Sequence, residues 1–236
     1  MQDKELQNYM IKNYHKKIYT YNPEQYQFVD MLKKIYNVQN LSMVANNKIN
    51  NQVVDFYTDS QKNEILQFYN SSLFQNFVDE YIRFLKNEIP NVFPNEKFII
   101  YQSKPTYRIH EKNNLSVGEW HRDSQDKYFH YLNTINFYLP FTELNEFNTI
   151  WMCKNILDNT NTNTNIEPIL LKNNEFTTNY FAGVLHGNKI NTSDYTRISI
   201  DFRIIPGSLY DETKMINTSS SNKKLQIGDY YSIMHF

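Results

Sequence analysis

The sequence has few of the residues that lock a chain covalently or let its backbone turn freely. Cys153 is the lone cysteine in 236 residues, so no intramolecular disulfide can form. The opening MQDKELQNYM lacks the apolar core of a signal peptide. Both features lead to the expectation of a reducing, cytoplasmic setting. No apolar run is long enough to span a bilayer, and no membrane partner is expected. An excess of either charge is missing as well, because 24 Lys and Arg face 25 Asp and Glu for a net charge of −1. A chain without a basic field suits a polyphosphate backbone poorly, so a small-molecule partner is expected and a nucleic acid is not.

Glycine and arginine are scarce, at five residues each. Scarcity makes their positions informative. Gly118 stands three residues before His121, and Gly183 and Gly187 bracket His186, where a missing Cβ permits tight turns and close backbone approach. Four of the arginines, Arg108, Arg122, Arg197 and Arg203, fall in one stretch of a lysine-rich chain. The planar guanidinium fork grips a carboxylate bidentately, which lysine cannot imitate, so this cluster points to recognition of a small anion.

What the chain does have is a two-part texture. Apolar residues recur at helical spacing from Pro23 to about Val38, and again from about Gln61 to Glu88, the second helix breaking near Asn70 and stopping before Pro90. Beyond residue 97 come short β-branched and aromatic segments, with strands expected at 97–102, 106–110, 116–123, 132–139, 148–153, 168–171, 179–186 and 196–205. That number of short strands suits a jelly-roll or barrel. The Asn/Thr run 159–165 reads as an exposed loop, and 225–231 as an edge strand after the polar patch 218–222. The expected organisation is therefore a single domain over 1–236, with a helical part at 1–96, a β core at 97–206 and a C-terminal extension at 207–236.

Chemistry concentrates in the β part. His121 and Asp123 stand two residues apart in an expected strand, which turns both side chains to one face. An imidazole and a carboxylate there supply two sites of a facial triad for Fe(II). The run Phe181 to His186 places a third ligand at a strand end, and eleven residues later Arg197 and Ser199 share one face of the next strand with the means to hold a carboxylate. Other readings of these residues are weaker. A protein kinase would need Asn where Tyr128 follows His121-Arg-Asp, and Cys153 has no motif of a nucleophile around it. Zinc suits two His and one Asp formally and stays open as the metal on these residues alone.

Taken together, Trp120-His-Arg-Asp, the distal His186 and Arg197-Ile-Ser-Ile-Asp-Phe-Arg resemble the iron(II)/2-oxoglutarate-dependent oxygenase superfamily. With Tyr107-Arg-Ile-His and Thr134-Ile-Asn-Phe-Tyr-Leu-Pro they look most like hydroxylase-like proteins associated with streptomycin biosynthesis. The resemblance spans about residues 105 to 206 and implies a mainly β fold with N-terminal α, a double-stranded β-helix of the jelly-roll or cupin-like kind flanked by helices. It implies Fe(II) on His121, Asp123 and His186, with O2 and 2-oxoglutarate as cosubstrates. Arg197 would hold the far carboxylate, Ser199 assisting and Asn136 reaching the oxoacid from the neighbouring strand. Arg108, Tyr128, His130 and Arg203 would face the substrate. Because Asp123 keeps the acidic ligand that halogenating relatives lack, hydroxylation of a small polar metabolite with release of succinate and CO2 is expected. The alternatives are a protein side chain as substrate, or a cupin-like module that binds metal or ligand without turnover.

Overall fold

The computed structural model describes residues 3–44, 59–116, 120–125, 128–154, 165–214 and 224–236. Gly118, residues 159–164 of the Asn/Thr run and the patch 218–222 lie outside them. The helical part contains α1 (Asp3–Tyr14), α2 (Phe28–Tyr36), α3 (Asp59–Asn70) and α4 (Phe74–Val92). Helix α2 ends where Asn37 turns left-handed at φ 52°, a conformation its short amide side chain tolerates well. The expected break near Asn70 is present. The expected stop before Pro90 is not, because α4 runs through it to Val92. A proline in the last turn forfeits few intrahelical bonds, and burial of Ile89 and Val92 holds that turn in place.

Among the described residues, ten strands form two antiparallel sheets. The larger contains β1 (Lys17–Thr20), β2 (Phe98–Gln102), β3 (Thr106–His110), β4 (Ile135–Pro140), β7 (Glu175–Asn179), β9 (Arg197–Pro206) and β10 (Tyr231–His235), in the order β1-β7-β4-β9-β2-β10 with β3 also pairing with β9. The smaller contains β5 (Ile150–Cys153), β6 (Ile166–Pro168) and β8 (His186–Asn188), in the order β6-β5-β8.

Strand β9 shows how the fold makes a site. Its even-numbered residues, Ile198, Ile200, Phe202 and Ile204, belong to the apolar core shared with the helices, where Tyr81 of α4 meets Phe202 edge-on at 5.1 Å. Its odd-numbered residues, Arg197, Ser199, Asp201 and Arg203, occupy the opposite face. Three of these four line a cleft that also touches Ile150 of β5 and His186 and Asn188 of β8. A strand with both faces covered thus carries a polar stripe on its inner side.

Several expected strands fall differently. Residues 120–123 form no strand, and in the run 179–186 only the end residues do, Asn179 closing β7 and His186 opening β8, while 180–185 turn between them with Gly183 and Val184 N–H bonds to the Tyr180 carbonyl. The expected edge strand at 225–231 begins only at Tyr231, and residues 169–171 follow β6 instead of forming it. Helix α1 and strand β1 carry too little apolar periodicity to be foreseen. No helix among the described residues is long and apolar enough to cross a membrane.

Candidate metal centre

His121, Asp123 and His186 converge although the first two do not sit in a regular strand. An isolated antiparallel bridge joins the two histidines, with His121 N–H bonded to His186 O at 3.0 Å and His186 N–H to His121 O at 3.1 Å. Asp123 N–H reaches the Phe181 carbonyl at 2.9 Å, so both residues of the H-x-D are pinned to the segment leading into β8. One ligand atom from each of the three side chains lies within 4.8 Å of the others. Asp123 Oδ1 is 3.4 Å from His121 Nε2 and 3.7 Å from His186 Nε2. Donor atoms around a divalent ion with bonds of about 2.1 Å stand roughly 3.0 to 3.4 Å apart, a span the two Asp–His distances already approach.

The protonation chemistry fits. Asp123 is 1% exposed, and its two oxygens have different surroundings. Oδ2 accepts from Asn136 Nδ2 at 2.7 Å and from Arg203 Nη2 and Nε at 2.8 and 3.2 Å. Oδ1, facing the imidazoles, has no hydrogen-bond donor. A buried carboxylate oxygen left without a proton donor beside two imidazole nitrogens is what a cation would satisfy. Burial, the largest single influence, would raise the Asp123 carboxyl, but the Arg203 guanidinium and the imidazoles of His121, His186 and His130 together outweigh it and hold the group well below the usual carboxylate range. Burial, reinforced by His121, pushes the His186 imidazole down to about 3. Its Nδ1 lies 3.1 Å from the Val184 carbonyl, so the neutral ring donates there and turns the Nε2 lone pair toward the cleft. Phe181 stacks on that ring with centroids 3.9 Å apart.

Arg197 forms part of the cleft lining and is 1% exposed. Its Nη1 donates to Asn148 O at 3.0 Å and Asn188 Oδ1 at 3.2 Å, while Nε has no partner. No carboxylate among the described residues pairs with it. Ser199 Oγ, also buried, is likewise unpartnered. The remaining expected residues divide. Arg108 lines the cleft in an ion pair with Asp201 at 2.7 Å, and Tyr128 packs its ring 4.3 Å from that of His121. Asn136, expected on the oxoacid, and Arg203, expected on the substrate, both spend donors on Asp123. His130 does not line the cleft and is buried behind Asp123, donating its backbone N–H to the Asp123 carbonyl at 2.9 Å. Sequence reasoning did not foresee this bracing of Asp123. The shared parity of Arg197 and Arg203 on β9 is the one signal that placed Arg203 nearby.

No protein-family model matches the chain. Over 133 residues it is 29% identical to streptomycin biosynthesis protein StrG of Streptomyces griseus, a match covering 56% of this chain and 59% of that protein. The aligned region is thus less than two thirds of the relative's length. Among solved structures, apo ThoJ, a non-heme monooxygenase, superposes with a TM-score of 0.55 at 10% identity, and its nickel complex with 0.52 at 11%. Both comparisons cover 90% of this chain and 82% of ThoJ. These likenesses show a shared fold, mostly antiparallel β with packed helices.

Proposed function

We propose that the chain is an Fe(II)- and 2-oxoglutarate-dependent oxygenase that hydroxylates a small polar metabolite on a double-stranded β-helix scaffold. The observation that carries this reading is the pairing, in one cleft, of a three-donor set suited to a metal with a buried guanidinium that has no carboxylate partner among the described residues. A dicarboxylate spanning from the metal to Arg197 would answer both. Similarity to a streptomycin biosynthesis protein favours a polyhydroxylated or amino-bearing metabolite, and the shared fold with a non-heme monooxygenase supports an oxygenase.

His121, Asp123 and His186 would hold the iron, with Asp123 ligating through Oδ1 alone because Oδ2 is occupied by three donors. Arg197 Nε and Ser199 Oγ would bind the far carboxylate, with Asn188 fixing the guanidinium plane. Phe181 and Ile150 would keep water from the metal side of the cleft. Iron, O2 and 2-oxoglutarate together supply the oxidising power for insertion of oxygen into a C–H bond, with succinate and CO2 as coproducts.

The test is an anaerobic titration with Fe(II) and then 2-oxoglutarate, monitoring the visible metal-to-ligand charge-transfer absorption. We expect a band that His121→Ala abolishes. Arg197→Lys should need about 10-fold or more additional 2-oxoglutarate, since the bidentate fork is lost while the charge remains. Metal binding without any band would overturn the chelation reading and favour a noncatalytic metal-binding module.

A further inference from the structure

The C-terminal segment, which the sequence presents as an appendage, reaches the back of the metal centre. Arg203 meets Asp123 with Nε and Nη2, and its remaining nitrogen, Nη1, donates to Tyr230 Oη at 3.2 Å and Gln102 Oε1 at 3.3 Å. Gln102 is itself oriented, since its Nε2 donates to Lys104 O at 2.7 Å and Thr106 Oγ1 at 3.0 Å. The guanidinium is therefore held between an anchored amide and a phenol. Tyr230 is carried by the 224–236 segment, whose strand β10 pairs with β2 along its full length from Tyr231 opposite Gln102 to His235 opposite Phe98. A second, longer contact comes from the same segment, where Tyr231 Oη lies 3.5 Å from Nδ1 of His130, the residue bonded to the Asp123 carbonyl.

We propose that Tyr230 is a positioning residue of the metal centre, acting through Arg203 to keep Asp123 Oδ2 occupied and Oδ1 aimed between the two histidines. The inference rests on the proposed metal site but is independent of 2-oxoglutarate. Arg203 can hold the carboxylate only while its own plane is fixed, because rotation about the long side chain would carry Nη2 off Oδ2. The carboxylate could then turn or chelate through both oxygens, changing the ligand field. Outer partners of metal ligands typically tune affinity by 10- to 100-fold, and a partner one bond further out belongs at the lower end.

Co(II) is the probe, read by its visible d–d absorption in the full chain. Tyr230→Phe keeps the ring and its packing, so the thermal midpoint of the apo protein should hardly move while the Co(II) Kd rises about 10-fold and the d–d envelope shifts. In an Arg203→Lys background the same Tyr230→Phe change should add almost nothing, since the group through which it acts is gone. Ser232→Ala, in β10 of the same C-terminal segment and bonded to Ser103, is the control and should leave Kd unchanged. Unaltered Co(II) affinity and spectrum in Tyr230→Phe, or an equal effect in both backgrounds, overturns the proposal. Failure of the wild-type protein to bind Co(II) would instead overturn the metal site itself.

Discussion

Asp123 performs a different task with each oxygen, and the two can be separated by mutation. Oδ1 faces the two imidazoles, whereas Oδ2 is the counter-charge of Arg203, a buried guanidinium whose other carboxylate, Asp201 Oδ1, stands 3.5 Å away while Asp201 Oδ2 pairs with Arg108. Asp123→Ala would therefore remove a proposed metal ligand and also take from a buried cation its closest carboxylate. We expect it to cost about 3–5 kcal/mol in urea unfolding of the metal-free protein, clearly more than His121→Ala, which strands no charge. Equal losses in the two variants would show that Arg203 does not depend on Asp123. Both variants should lose metal binding, so stability is the quantity that tells the two tasks apart.

Among the elements, the contact between the H-x-D segment and β8 depends on one glycine. A Cβ on Gly187 would sit 3.0 Å from the Trp120 ring and 3.3 Å from the Trp120 Cα, where backbone has little room to retreat. Gly187→Ala should push the two segments apart, lengthen the His121–His186 bridge and weaken Co(II) binding about 10-fold or more, measured by the same titration. Much of this region was legible in the sequence: Gly187 beside His186 signalled close approach, and strands β2, β3 and β9 fall within two residues of their expected bounds. His121 and Asp123 do not reach one side by strand parity: their convergence comes from a single bridge and an Asp123 N–H bond to Phe181, contacts between residues about sixty apart that local patterning cannot encode. The bracing by Tyr230 escaped notice for the same reason, since the register of β10 on β2 fixes it and no motif surrounds it. Candidate ligands were readable because their residue types are rare in combination. Their supports were not, because Asn, Tyr and Gln are common here.

Across the whole molecule, neutral buried histidines set an acid limit on stability. Burial, with Lys16 contributing, lowers His15 to about 4, and burial with Arg197 lowers His110 to about 3. Both folded values lie below the unfolded value of about 6.5, so the unfolded chain takes up protons first as pH falls. Their contribution is fully present above about pH 6.5 and is lost progressively down to about 4 for His15 and 3 for His110. Roughly 4 kcal/mol from these two rings should disappear between pH 7 and pH 5 in urea unfolding of the metal-free protein, with the buried His186 ring adding to the loss, and a flat profile over that interval would contradict neutral burial of the rings. The metal centre bears on the same balance from another direction. His186 enters β8 of the smaller sheet, while Asp123 is bonded through its side chain to β4 and β9 of the larger one. An ion shared by the two would tie off a chain loop of about sixty residues, restricting the unfolded ensemble as a covalent cross-link does, by an amount that grows with the logarithm of loop length. In a chain with one cysteine, such a removable staple between the sheets would make metal supply a determinant of how long the folded protein survives proteolysis.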